Sequence, residues 1–555
     1  MRLKSRLLIV SILVITGTVL LAFRSDNKYF DIARNLDIFT TLFKEVNAYY
    51  VDEVEPEPII HRGIDSMLAS LDPYTVFIPE DEAENYRSMT TGQYGGIGIM
   101  VGDINGKAYV TMLYENFAAH KAGINIGDQI IEINDKSVVG KNPDEVTREL
   151  KGAPNSDVSI KVKRIGKDSP IQFDLKRSKV IVNNVSHASM LDKEIGYIIL
   201  SDFTFGASRE VINALNQLKE KGAKKIILDL RSNPGGLLSE AINVANVFIP
   251  RGQDVVHTKG KLEEWNKTYK ALNMPTDVEI PIAVLVNGGS ASASEIVAGV
   301  IQDYDRGVLI GRKTFGKGLV QTTRPLSYNT QLKVTTAKYY TPSGRCIQRL
   351  DYANKNKGKA TSLADSLLEK FSTLNGRTVN AGGGLTPDIT VEGRRMAEIT
   401  QELVFQGKVF EYASIYCSNH DQIVPAREFK ITDSEYAEFK DWMLKSSFKY
   451  KTQIDHMMDE MKQTAKSENL YGKLENQLKE LRADIEQNKL NDFDKHKDEI
   501  KLILQKEIVS RYYLFNGDVQ ATMDHDNDIN KAKEILSNDA VYNNILNSNG
   551  VNTKH

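Results

Sequence analysis

The sequence predicts a multidomain α/β protein: a layered α/β core, a β-rich module placed ahead of it, and helical regions at both ends. Three observations predict this. From about Ile181 to Ile389, apolar runs (Ile195 to Leu200, Lys225 to Leu230, Ile282 to Val286, Val308 to Ile310) alternate with helix-like segments (Ser208 to Lys221, Leu238 to Phe248, Ser292 to Gln302). That alternation marks strands covered by helices. Between Gly92 and Leu175 the texture is short alternating runs, such as Ala108 to Met112 and Val158 to Lys163, cut by Gly and Asn/Asp turns, which reads as a compact β module. Residues 36 to 89 and the stretch beyond Arg394 carry helical spacing instead, with Phe39, Leu42, Phe43 and Val46 in the first and Leu470, Leu474, Leu478, Leu481 and Ile485 in the second. The later stripe reads as an ordinary packed helix, with a dimerisation helix as the alternative.

A chain of 555 residues exceeds what one hydrophobic core usually organises. Its formal net charge of -2 and lack of a Lys/Arg-rich run leave nothing to attract nucleic acid. Cys346 and Cys417 are the only cysteines, too few for a disulfide scaffold and without the spacing of a zinc site. At the N-terminus Arg2, Lys4 and Arg6 precede an uncharged run from Leu7 to Phe23, and Arg24, Ser25 and Asp26 return the chain to water. That is the pattern of an export signal with a basic cytoplasmic side. A helix over that run covers roughly 25 Å against a hydrocarbon core of about 30 Å. An uncleaved anchor is the expectation and a cleaved signal the alternative. Everything downstream then lies outside the cytoplasm, and the Asn- and Lys-rich composition points to a bacterial envelope, on its periplasmic side.

Two segments carry candidate chemistry. In Tyr94-Gly95-Gly96-Ile97-Gly98-Ile99 glycines let backbone N–H groups converge on an anion just before a strand, so a C-terminal carboxylate can sit there while its peptide adds to the sheet edge. In Asn287-Gly288-Gly289-Ser290-Ala291-Ser292-Ala293-Ser294-Glu295 a buried strand ends in small residues and enters a helix, placing hydroxyls at a helix N-terminus. An isolated serine-rich helix start is ordinarily a cap, so the base decides. The nearest histidine in sequence, His257, sits in a polar segment, and no G-x-S-x-G elbow occurs. Lysine can act as base only where burial away from carboxylates brings its pKa down toward neutrality. Lys317, in Thr314-Phe315-Gly316-Lys317-Gly318-Leu319-Val320-Gln321, has apolar neighbours and no acid nearer in sequence than Asp305. Gly311 and Gly316-Lys317 nearly make a P-loop, but Gly318 stands where Ser or Thr must hold magnesium, and Pro325 stops the helix that motif requires.

These segments, with Gln302-Asp303-Tyr304, Lys338-Tyr339-Tyr340-Thr341-Pro342-Ser343-Gly344-Arg345 and Gly382-Gly383-Gly384-Leu385-Thr386-Pro387-Asp388, resemble the carboxyl-terminal processing (tail-specific) proteases over roughly residues 36 to 390. Gly95 to Ile99 with Ala122-Gly123-Ile124 and Gly127 to Asn134 resemble a PDZ domain. The resemblance implies a crotonase- or Clp-protease-like core bearing an inserted PDZ domain. It implies Ser292 as nucleophile, Lys317 as general base and Gln321 as the residue that orients the lysine. The oxyanion donors would be the N–H groups of Ala293 and of Gly236, in the Asn233-Pro234-Gly235-Gly236-Leu237 turn. Glu295 and Asp303 match family positions and read as structural supports. The expected organisation is a signal or anchor (1–24), a helical region (25–90), the PDZ domain (91–175), the protease core (176–390) and a helical extension (391–555). No metal or organic cofactor is expected. The expected partners are proteins or peptides with accessible C-termini and the membrane at the N-terminal segment, and not nucleic acid. A homodimer through the terminal helices and a regulatory or adaptor protein stay open, as does a non-catalytic scaffold that only binds peptides.

Overall fold

The computed structural model describes residues 28–356, 359–362, 369–393, 395–446 and 448–547. The Leu7 to Phe23 run lies outside them. Among the described residues no helix is long and apolar enough to cross a membrane, and no group of His, Cys, Asp and Glu could hold a metal ion.

The chain divides into two compact units, one up to Phe77 and one from Ile78 onward. In the first, helix α1 (28–49) keeps Phe39 and Leu42 about half exposed, and α2 (Pro56–Ala69) follows. The Asp72 carboxylate then accepts from the N–H groups of Tyr74 and Thr75, both at 2.8 Å, which fixes the Leu71-Asp72-Pro73 turn.

The second unit begins with α3 (Ala83–Thr91) and β1 (Gln93–Gly96). A five-stranded antiparallel path follows, β2 (Ile99–Ile104), β3 (Lys107–Leu113), β4 (Gln129–Ile133), β5 (Asp157–Lys163) and β6 (Ile171–Lys176), in the spatial order of the sequence with β2 at an edge. Helices α4 (Ala118–Ala122) and α5 (Pro143–Leu150) close its core of Val110, Ile130, Ile133, Val146 and Ile160. Strand β7 (Ser178–Ile181) returns antiparallel to β1.

The α/β core holds a six-stranded sheet. Its strands are β8 (Val185–Met190), β9 (Ile195–Leu200), β10 (Lys225–Asp229), β13 (Ile282–Val286), β14 (Val308–Gly311) and β17 (Ile389–Thr390), in that spatial order. All neighbours run parallel except β8 with β9. Because side chains alternate across a strand, β13 sends Ile282, Val284 and Val286 to one face and Ala283 and Leu285 to the other. The first face packs on α6 (Ala207–Glu220), α7 (Leu238–Phe248) and α8 (Ala293–Asp303). A second antiparallel sheet, in the order β15 (Leu319–Pro325), β16 (Gln331–Tyr340), β11 (Asp254–Gly260), β12 (Lys267–Lys270), flanks the core.

The helical tail does two jobs that its sequence does not announce. Helices α9 (Glu398–Phe405), α10 (Lys408–Asn419), α11 (Asp433–Lys445) and α14 (Lys497–Thr522) share their own apolar core. Phe410 and Leu514 reach from that bundle into the core of the β module, and Leu514 interrupts α14 at φ 55, ψ -150, a conformation a bulky side chain rarely holds. The last two helices, α15 (Asn527–Ser537) and α16 (Asp539–Asn547), cover the other face of the six-stranded sheet: Ile529, Ile535, Leu536 and Tyr542 pack on Ile195, Tyr197, Ile227, Leu285 and Ile310. The third layer of the core thus comes from the far end of the chain. The stripe of Leu470, Leu474 and Leu481 falls at the start of and within α13 (Tyr471–Lys495), after α12 (Gln453–Ser467), and these leucines are 40%, 37% and 43% exposed.

Candidate active site

Strand β13 is buried along its whole length and ends at the Asn287 turn that leads into α8. Ser290 donates through Oγ to the Leu230 carbonyl at 2.7 Å, and Ser294 donates to the Asn233 carbonyl at 2.9 Å; both are fully buried. Those two hydroxyls are spent on neighbouring backbone. Ser292 is half-buried, lines a cleft of about 650 Å³, and is held at φ 54, ψ -111. A positive φ on a non-glycine residue beside a cleft is strain of the kind concentrated at functional sites. Lys317, Gln321, Ala293, Gly235 and Gly236 line the same cleft. Gln321 donates from Nε2 to Thr335 Oγ1 at 3.2 Å.

Glu295 joins the two loops. It is fully buried, and its Oε2 accepts from the N–H of Ser292 and from the N–H of Lys317, both at 2.9 Å. Oε1 accepts from Thr314 Oγ1 at 2.5 Å and from the Gly316 N–H at 2.8 Å. Burial pushes its carboxyl up to about 7, and these four donors pull the other way. The sequence places no acid near Lys317, whereas the fold brings the Glu295 carboxylate to the lysine's own backbone, and Asp202 to the cleft wall. Tyr339, 1% exposed, donates its hydroxyl to the Ser292 carbonyl at 3.1 Å. Burial, with Glu295 nearby, raises its phenol well above the ordinary range, so it remains a donor. Asp303 lies at the far end of α8, away from the cleft, where Oδ1 accepts from Arg345 Nη2 at 2.7 Å and Oδ2 from the Ser343 N–H at 2.9 Å.

The Asn233 to Leu237 turn packs against the Ser292 loop. A parallel bridge to Phe203 uses the Gly235 carbonyl, at 3.2 Å from the Phe203 N–H, and the Leu237 N–H, at 2.7 Å from the Phe203 carbonyl. The Gly235 N–H is taken by Asn233 Oδ1 at 2.9 Å. The Gly236 N–H, on the other side of the chain, has no acceptor among the described residues, and neither has the Ala293 N–H. Gly235, the other glycine of the turn from which the sequence singles out Gly236, sits tightest against the serine. A Cβ there would lie 2.7 Å from the Ala291 carbonyl oxygen, 2.8 Å from the Ala293 nitrogen and 2.9 Å from Ser292 Cβ, at a φ of 100. Gly235→Ala is therefore expected to lower kcat about a hundredfold by displacing the serine, as a shift of about 1 Å does. Steady-state kinetics beside a thermal melt checks this.

In the β module, Gly95 and Gly96 belong to β1 and pair with Lys179 and Ser178 of β7. The turn proper is Ile97 and Gly98, whose N–H groups have no acceptor among the described residues, and Ile99 opens the edge strand β2. A second groove, about 1060 Å³, runs past Gly95, Arg87, Thr91 and Asn329, and it shares Tyr86, Ser88, Thr90 and Tyr94 with the catalytic-side cleft. Those four side chains stand between the two open spaces.

A largely parallel α/β core, an edge-stranded β module, and a cleft lined by both Ser292 and Lys317 agree with the family matches, which make the chain a serine peptidase of the PDZ-bearing kind. Residues 194–353 match peptidase family S41, residues 87–163 match the PDZ domain, and residues 399–536 match the probable PDZ-protease C-terminal helical domain. A carboxy-terminal-processing protease of Bartonella bacilliformis is 37% identical over 326 residues, 58% of this chain and 74% of that protein. A probable CtpA-like serine protease of Staphylococcus aureus is 36% identical over 316 residues, 56% of this chain and 62% of that protein. The solved photosystem II D1 C-terminal processing protease is 25% identical, with 67% of this chain and 96% of that chain covered at a TM-score of 0.34. The chain belongs to the carboxy-terminal-processing protease family.

Proposed function

We propose that this chain cleaves exported proteins near their C-termini through a Ser292–Lys317 dyad. Lys317 Nζ, unprotonated, takes the proton of Ser292 Oγ as that oxygen attacks a peptide carbonyl. The developing oxyanion is received by the N–H groups of Ala293 and Gly236, donors of a kind typically worth about 3 kcal/mol each. The lysine then passes its proton to the departing amine as the C–N bond breaks, and water releases the acyl group from Ser292. Gln321 orients the lysine. The observation that carries this reading is the Glu295 carboxylate oxygen shared by the Ser292 and Lys317 N–H groups.

The substrate tail adds as a strand along β2, its carboxylate at the Ile97–Gly98 N–H groups, and the chain runs on past Tyr86 and Tyr94 to Ser292. Residues 7–23 hold the enzyme on the inner membrane with its active site on the periplasmic side; the support for this is the sequence pattern alone.

Incubating residues 25–555 with an unstructured protein bearing an apolar C-terminal tail tests the dyad. Lys317→Ala is expected to lower kcat by about 10³-fold, the scale of a general base, while tail binding is unchanged. A Lys317→Ala enzyme that cuts at the unaltered rate would remove the dyad. Tail binding without any cleavage by the unaltered chain would favour a scaffold.

A further inference from the structure

The structure ties the oxyanion turn to the last helical layer through one side chain. Arg231 stands at the end of β10, two residues before Asn233. Its Nη2 donates to Asp229 Oδ2 at 2.6 Å, and its Nη1 donates to Asp526 Oδ2 at 2.8 Å and Asp528 Oδ2 at 2.9 Å. Asp229 is itself held by the Tyr197 hydroxyl at 2.7 Å. The side chains of Asp229 and Asp528 are 5% and 7% exposed, so these charges are matched in a largely dry setting. Burial works against the Arg231 cation, but the Asp229 and Asp526 carboxylates outweigh it and raise its pKa.

From Arg231 the chain has little freedom before it reaches the serine. Ser232, at φ 59, donates its N–H to Asn287 Oδ1 at 2.8 Å. Asn233 donates from Nδ2 to the Leu200 carbonyl at 2.6 Å, and its own carbonyl accepts from the Ala291 N–H at 3.0 Å. The turn that presents Gly236 is therefore pinned at one end by Arg231 and at the other by the Ser292 loop.

We propose that Asp526 and Asp528, carried by the N-terminus of α15, are positioning residues for catalysis: by holding Arg231 they set the Asn233–Gly236 turn that receives the oxyanion. The inference rests on the oxyanion role assigned to Gly236 above. It gives the C-terminal helices a part in the chemistry as well as in the core.

The test is the Asp526→Asn, Asp528→Asn double variant of the full chain, compared with Asp539→Ala. Asparagine at 526 keeps the helix cap, in which Asp526 Oδ1 accepts from the N–H groups of Asp528 and Ile529, because Asn caps as well as Asp. What it removes is the charge. Asp539→Ala loosens the same layer at Lys225, a 2.7 Å pair, without touching Arg231. The double variant is expected to lose about tenfold in kcat, the scale of a sub-ångström misalignment. KM should stay within about twofold, and affinity for a peptide aldehyde, which forms a tetrahedral adduct, should fall in step with kcat. Asp539→Ala should keep kcat. If the double variant fails to fold, Asp526→Asn alone carries the test. Unchanged kcat and aldehyde affinity overturn the proposal, as does an Asp539→Ala enzyme that loses kcat in proportion to its lost melting temperature. An unaltered chain that cuts nothing and leaves Ser292 unlabelled by a fluorophosphonate overturns the protease reading and this inference with it.

Discussion

Replacing Ser292 by alanine is expected to cut the hydrolysis rate by about 10⁴-fold or more, the scale on which nucleophile removal acts, while the melting temperature moves by no more than a few degrees. The main-chain bonds of residue 292, to Glu295 and Tyr339, survive the change. The flanking serines give the opposite signature. Ser290→Ala and Ser294→Ala each remove a buried hydrogen bond, to the Leu230 and Asn233 carbonyls, and Ser290→Ala also takes the acceptor from the Asn287 N–H, at a cost of about 1–3 kcal/mol. They should lower the melting temperature and change kcat far less. Kinetics and thermal melts on the three variants separate nucleophile from scaffold. A Ser294→Ala enzyme that melts normally and is dead would move the nucleophile.

The second large effect is on the core itself. Leu536→Asp is expected to abolish folding of the protease core, because Leu536 is 1% exposed and packs with Ile195, Tyr197 and Leu285 on the outer face of the sheet. The Leu536 side chain is surrounded by apolar groups, and burying a carboxylate among them costs several kcal/mol, most of a domain's stability. The β module, with its own apolar core, should keep its structure. Leu474→Asp, on the exposed stripe of α13, should change the melting temperature hardly at all. Circular dichroism melts with limited proteolysis distinguish the two outcomes: loss of cooperative melting and ready digestion of the core for the first, native behaviour for the second.

The pair shows what was legible in the sequence. Strands buried on both faces read as unbroken apolar runs, so β9 and β13 fall on the residues predicted, and β10 and β14 differ by one residue at an end. The serine run and the Phe-Gly-Lys loop stand out because small residues and glycines at those positions have few other uses. Amphipathic spacing, by contrast, says that a helix has an apolar face and not what covers it. The leucine stripe of α13 leaves Leu470, Leu474 and Leu481 part exposed, while α15, whose short pattern attracts no notice in the sequence, covers the six-stranded sheet. The Glu295 bridge to Lys317 joins residues 22 apart through backbone N–H groups, which carry no side-chain signal. Gly235 and Gly236 are neighbours of one type; only the direction of the Phe203 bridge tells the close-packed one from the one whose N–H is unclaimed.

The borrowed third layer also sets a timetable. The Arg231–Asp526 pair spans 295 residues, and at ~5–20 residues per second a ribosome needs roughly 15–60 s to make what lies between. Until residues 527–547 are in place, the apolar outer face of the sheet has no cover from them. The nascent chain holds Ser292, Lys317, Gly235 and Gly236 well before it has the carboxylates of Asp526 and Asp528 that bind Arg231. A core built in this order takes its final shape only once residues 527–547 have docked on the sheet.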